Sequence, residues 1–212
     1  MRWLVVLALV AGVARADLVR PELVPVRFCT RGHTIDKIEA CLKKLGNPVL
    51  VHTFADARLY RLVMRKGHGA SVDVGLSLYV HRGDVWRLGG TYEARGLDYD
   101  VLAAEPLVIG KHAAYRIDVG EWFHGVAAVG DHHTRVPALL AHHQVMLCSG
   151  NTVHCDDATI ACDVLVRGAA VWTFRGVLQI VGSRVDIVGD RSHTGPQCEP
   201  EVALDLGWAR AQ

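Results

Sequence analysis

Six cysteines and twelve histidines are the residues of this 212-residue chain best equipped for chemistry. Cys29, Cys41, Cys148, Cys155, Cys162 and Cys198 form an even set, which in an exported chain reads as disulfides. Proximity favours Cys29 with Cys41, because the other four lie more than a hundred residues away. Of the fifteen pairings open to six thiols, the expected remainder is Cys148 with Cys155 and Cys162 with Cys198, and other pairings of these four stay open. Zinc is the competing use, with His154 beside Cys155 as a fourth ligand. Structural zinc sites pair cysteines about two to four residues apart, whereas six residues separate Cys148 from Cys155 and Cys155 from Cys162. The disulfide reading is therefore preferred.

Imidazole is the commonest transition-metal ligand. If Glu121 to Val129 and Leu139 to Cys148 pair as a hairpin, His124, His132, His133 and His142 converge, which is the set a metal-dependent hydrolase would use. Against this, neighbours on a strand point to opposite faces, so His142 and His143 cannot share a metal. Asp131-His132-His133 also spells the signature of a manganese phosphoesterase superfamily, and Asp98-Tyr99-Asp100 resembles a paired carboxylate. Those enzymes need a parallel α/β sheet, and the chain lacks the required alternation of strand and helix. It also has no Gly-x-Ser-x-Gly elbow, no His-Glu-x-x-His helix and no glycine-rich phosphate loop. No catalytic residue, metal ligand or cofactor site is assigned.

Behind these residues stand elements of two periods. Ile35, Ile38, Cys41, Leu42 and Leu45 recur at three and four, one face of a helix over Thr34 to Leu45. Thr34 reads as its N-cap, and Gly46 with Pro48 as its stop. Strands follow at Val49 to Phe54 and Ala57 to Arg65, a turn at Gly67-His68-Gly69, and an alternating run from Val72 to Val80. Arg82-Gly83-Asp84 turns the chain toward Trp86, Leu88 and Tyr92. On this reading Arg61, Arg65, Asp73, Tyr79, His81 and Arg87 share the face away from the helix. Arginine and aromatic side chains are enriched at binding hot spots, so that face is the expected partner surface.

The second half carries only strand signals, broken at glycine pairs such as Arg167-Gly168, Arg175-Gly176 and Gly182-Ser183. Tyr115 to Val119 and Glu121 to Val129 read as separate strands, as do Ala170 to Phe174 and Val177 to Val181. The expected fold is α+β and mostly antiparallel β. An N-terminal helix packs on a β-meander, and an all-β sandwich or barrel-like half follows, stapled by disulfides. The expected division is a leader at 1–16, a helix plus meander at 17–104, and an all-β region with a disulfide-tied tail at 105–212.

Gly32-His33-Thr34 opening the helix, Ile38 within it and Leu45-Gly46-Asn47-Pro48 closing it resemble the Gly-Met-Thr…Val…Leu-Gly-x-Pro pattern of the SmpA/OmlA family. That family includes the small lipoprotein of the outer-membrane barrel-assembly machinery, and β-lactamase inhibitory protein is similar in architecture. The resemblance covers about residues 32–92. It implies helices on a short antiparallel meander and a binding role. His33 stands where the family has Met, and no lipid-accepting cysteine follows the leader.

The leader itself is Met1 to Ala16: Arg2, an apolar stretch from Trp3 to Val13, and Ala14-Arg15-Ala16 as the peptidase site. Its apolar stretch is shorter than the roughly 20 residues a spanning helix needs. The chain is therefore expected to be exported, periplasmic or secreted, with no stable membrane anchor after cleavage. Removing Arg2 and Arg15 takes the formal charge from +1 to about −1, which leaves no footprint for nucleic acid or anionic lipid. The expected function is a non-catalytic binding protein whose partner is another protein or a cell-envelope component.

Overall fold

A computed structural model describes residues 29–65, 71–92, 98–129, 134–152 and 154–210. The leader at 1–16, the Gly67-His68-Gly69 turn, His132 and His133 lie outside the described residues. The fold is α+β and mostly antiparallel, with two sheets, one substantial helix and three disulfides. No helix among the described residues is long and apolar enough to cross a membrane.

A short strand β1 (Arg31–Gly32) leads into helix α1 (Ile35–Leu45). The Thr34 hydroxyl accepts the Lys37 N–H at 3.4 Å, and Asp36 in the first turn with Lys43 and Lys44 in the last suits the helix dipole. Gly46 donates its N–H to Leu42 O, but its backbone is extended (φ −177°). The helix therefore ends by running straight into a strand, with no left-handed cap. Four strands follow: β2 (Asn47–Thr53), β3 (Ala57–Arg65), β4 (Ser71–Arg82) and β5 (Val85–Tyr92). Together with β1 they form a sheet in the order β1-β5-β4-β3-β2. Ile38 and Leu42 pack on Tyr60, Leu62, Tyr79 and Leu88, and the Cys29–Cys41 bridge closes that layer.

The second sheet is a seven-stranded meander that keeps sequence order from edge to edge. Its strands are β6 (Asp98–Ile109), β7 (His112–Val129), β8 (Thr134–Cys148), β9 (Asp156–Val166), β10 (Ala169–Val181), β11 (Arg184–Asp190) and β12 (Ala203–Leu204). A last turn of helix, α2 (Gly207–Arg210), follows. Leu59, Leu76, Leu78 and Val80 of the first sheet share one core with Tyr115, Ile117, Val119 and Met146 of the second. The division expected at 104/105 falls inside β6, and the change of sheet comes between Tyr92 and Asp98.

The expected partner face does not exist as one surface. Register places Arg61 opposite Leu76 and Arg58 opposite Tyr79, with bulges between Arg61 and Val63 and between Leu78 and Tyr79. Tyr79 is fully buried under α1, where burial pushes its phenol pKa up. Arg61 lies on the opposite side, its guanidinium 4.3 Å over the Tyr99 ring of the second sheet. His81 and Arg87 are exposed, and His81 stacks on Trp86 at 5.0 Å. Arg65 belongs to β3, and its side chain lies outside the described residues. Both faces of the sheet are covered, one by the helix and one by the second sheet. That is why every residue from Gly75 to Val80 is buried despite the alternation that suggested a wet face.

Two further expectations are corrected by side chains lying across glycines. Arg175-Gly176, read as a break, is the middle of one 13-residue strand. Gly176 pairs with Gly189, and a Cβ on either would come within 2.8 Å of the Phe174 ring. The glycines make room for the ring and do not turn the chain. Gly120 is likewise the interior of β7, a single 18-residue strand. Finally, β6 escaped the sequence reading because its polar residues and Pro106 resemble a linker. As an edge strand paired only with β7, it tolerates both.

Candidate binding cleft

The disulfides connect in the expected way: Cys29–Cys41, Cys148–Cys155 and Cys162–Cys198. The last one anchors the segment that builds a strapped cleft on the second sheet. After β11 the chain doubles back through a turn at Gly195-Pro196-Gln197-Cys198, closed by Cys198 N–H to Gly195 O at 2.8 Å. Proline at the second position presets φ, and the third position of a type II turn requires a positive φ. Gln197 occupies it at φ 72° although it is not glycine. The strain is of order 1 kcal/mol and is offset by the bonds the residue makes. Its Nε2 donates to Val126 O at 2.7 Å, and its own carbonyl accepts from His142 Nε2 at 3.0 Å.

Beyond the turn, Arg191 holds the returning strap by donating to Pro200 O and Glu201 O, with its guanidinium 5.0 Å over the Phe174 ring. Glu201 accepts the Thr159 N–H at 2.8 Å. Between strap and sheet lies a cavity of about 250 Å³, lined by Phe123, His142, Gln144, Thr159, Gln197, Cys198, Glu199 and Glu201. Gln144 is almost fully buried and bonds the Thr159 hydroxyl at 2.9 Å. His142 stands edge-on to Phe123 at 5.0 Å. The cleft thus offers two carboxylates, an amide and an aromatic edge, a set that accepts hydrogen bonds from a cationic group.

Glu121 pairs with His142 across β7 and β8 and is completely buried. The Tyr92 hydroxyl donates to its Oε1 at 2.7 Å, joining the end of the first sheet to the middle of the second. Sequence reading passed over Glu121, Tyr92, Gln144 and Glu201. A signal for Glu121 was present: it is a lone acid inside Val119-Gly120-Glu121-Trp122-Phe123, where a buried carboxylate needs a donor.

The histidines separate. Strands β7 and β8 do form the hairpin that was expected, with Glu121 opposite His142 and His124 opposite Leu139. His142 joins the cleft, and His124 is exposed. His143 faces the other way, its Nε2 3.4 Å from Asp118. Among the described residues no group of three His, Cys, Asp or Glu side chains could hold a metal ion.

Asp118 also takes a two-point bond from Arg116, at 2.8 and 2.9 Å. Burial alone would raise its pKa, but the His143 and Arg116 bonds outweigh it and hold the carboxyl below its ordinary 3.8. A group of this sign stabilises the fold above the ordinary value, and that contribution is lost as pH falls through the lower native value. Asp118→Asn should therefore cost about 1–2 kcal/mol at neutral pH. It should also flatten the acid limb of stability against pH, read by urea unfolding between pH 7 and acid. An acid limb identical to that of the wild type would show that Asp118 does not carry it.

No family model, curated protein or solved structure matches this chain.

Proposed function

We infer that the chain is an exported, non-catalytic binding protein, and that the strapped cleft takes a lysine or arginine side chain of a protein partner in the cell envelope. The observation that carries this reading is the convergence of Glu199 and Glu201 over the Gln144, Thr159 and Phe123 floor. The bonds of Gln197 and Glu201 to the sheet fix this lining, so little ordering entropy is lost on binding. Three disulfides and the leader-like Met1 to Ala16 support export. The resemblance of residues 32–92 to the SmpA/OmlA family, whose known roles are binding roles, supports recognition over catalysis.

Titration with a lysine-rich peptide, followed by backbone amide shifts, should saturate at Thr159, Gln144 and Cys198. A glutamate-rich peptide of equal length should leave them unmoved. Glu199→Gln should weaken the lysine peptide by roughly fivefold, the loss of one partly exposed charge contact. Equal response to both peptides would sink the reading. An equivalent of tightly bound zinc in the purified protein would favour instead a metal-dependent hydrolase using the hairpin of His124, His132, His133 and His142.

A further inference from the structure

On another part of the molecule, four segments remote in sequence line a second cavity, and two of them bring basic side chains to it. It measures about 280 Å³ and is lined by Arg82, Lys111, His112, Ala113, Ser149, Asn151 and Trp208. Arg82 ends β4, Lys111 and His112 form the turn into β7, and Ser149 to Asn151 is the loop after β8. No carboxylate belongs to this lining, in contrast to the cleft with its two glutamates. Asp56 reaches Arg82 only at 3.7 Å, and Lys111 has no ion pair among the described residues.

The loop wall and the Trp208 wall are braced by bonds within the protein. The loop is bracketed by the Cys148–Cys155 bridge. Within it, Ser149 Oγ accepts the N–H groups of Asn151 and Thr152 at 3.1 and 3.2 Å. Gly150 has a left-handed backbone (φ 72°), and a Cβ there would lie 3.3 Å from Arg82 Nη2, so the guanidinium rests against the loop. Trp208 is held by its indole N–H to Asp156 Oδ2 at 2.7 Å and meets His112 edge-on at 6.3 Å. Arg82 thus rests against the bridged loop and Trp208 against Asp156, while Lys111 and His112 are carried on the tight turn between β6 and β7.

We propose that this cavity binds a phosphate monoester group, with Arg82 and Lys111 supplying charge and His112 and the Asn151 amide supplying further donors. Guanidinium and ammonium groups make charge-assisted bonds to such oxyanions. The cavity has room for the phosphate and part of what it is attached to. It shares no lining residue with the strapped cleft, so it stands or falls independently of the function proposed above.

The group has two possible sources, a free phosphate and a lipid headgroup, and two arms distinguish them. Inorganic phosphate, titrated against chloride at equal ionic strength, should produce saturable amide shifts at His112 and Ser149 to Asn151. Phosphatidylcholine vesicles with and without phosphatidic acid report the lipid source by co-sedimentation. Lys111→Gln, at an exposed turn position, should weaken whichever response is seen by about tenfold and leave the melting temperature unchanged. Saturation by phosphate alone identifies a soluble ligand, and vesicle binding displaced by phosphate identifies a headgroup. Both results support the site. Absence of both responses overturns it, and so does a response as strong in Lys111→Gln and in Asn151→Ala as in the wild type.

Discussion

Replacing Cys162 and Cys198 together by alanine should cost about 4 kcal/mol, the largest loss from opening any one of the three bridges. In the chain-entropy account, stabilisation grows with the logarithm of the closed loop. The separations are 36, 12 and 7 residues, which give about 4, 3 and 2 kcal/mol on that scale. Urea unfolding of the three double variants tests the order. The Cys162–Cys198 variant carries a second signature, because its bridge also pins the strap over the cleft. Hydrogen exchange at the Thr159 amide, which Glu201 accepts, should quicken far more there than in the Cys29–Cys41 variant. The lysine peptide should lose its binding as well. A loss under about 1 kcal/mol with an unchanged Thr159 amide would mean that Arg191, Gln197 and Glu201 hold the strap without the bridge.

The Cys148–Cys155 variant is expected to depart from its place in that order, for a reason found in the first sheet. A Cβ on Gly90 would come within 2.5 Å of Cys155 Sγ, so the bridge lies directly on the backbone of β5. Cys155 N–H donates to Thr91 O at 3.2 Å, and Thr91 Oγ1 meets His154 Nδ1 at the same distance. The bridge is therefore part of the seam between the sheets as well as a loop closure. Entropy counted from loop length alone omits the packing that would go with it.

What could be read from the sequence divides along the same line between local and long-range causes. Helix α1 was legible because its cap, its face and its stop all lie within fifteen residues, Thr34 to Pro48. The turn after Arg82 and the strand Ala57–Arg65 were legible for the same reason. Proximity in sequence pointed to Cys29–Cys41, but it left the pairing of the other four cysteines open. Gly120 and Gly176 misled because a glycine that admits Trp122 or Phe174 looks, in sequence, like a glycine that turns the chain. The covering of both faces of β4 depends on a sheet contributed by residues beyond 98, and alternation cannot report it. Each face received apolar or aromatic residues, and the unbroken register that sets Arg61 opposite Leu76 and Arg58 opposite Tyr79 puts Tyr79 and Arg61, which were assigned to one face, on two. The cleft was invisible for a related reason. Glu199 and Glu201 reach Gln144 and Thr159 only through the return of the tail.

Tyr92→Phe should cost about 2–3 kcal/mol, because it removes a hydrogen bond to a carboxyl group from which water is excluded. Glu121 is completely buried and Tyr92 nearly so, at 5 % exposure, so solvent cannot replace the lost hydroxyl without opening the seam. Glu121→Gln keeps the shape and an oxygen able to accept from Tyr92, and should cost less. A double-mutant cycle between the two positions then isolates their coupling, which should be at least about 1 kcal/mol. The loss should appear mainly as faster unfolding, since the bond joins sheets whose residues are far apart in sequence and which associate late on the folding path. Equal losses in Tyr92→Phe and Glu121→Gln, with no coupling, would mean that the two residues contribute separately and that the hydroxyl does not anchor the carboxyl. Coupling of the expected size would make this bond one of the polar ties between the sheets, placed in register with His142 at the edge of the cleft.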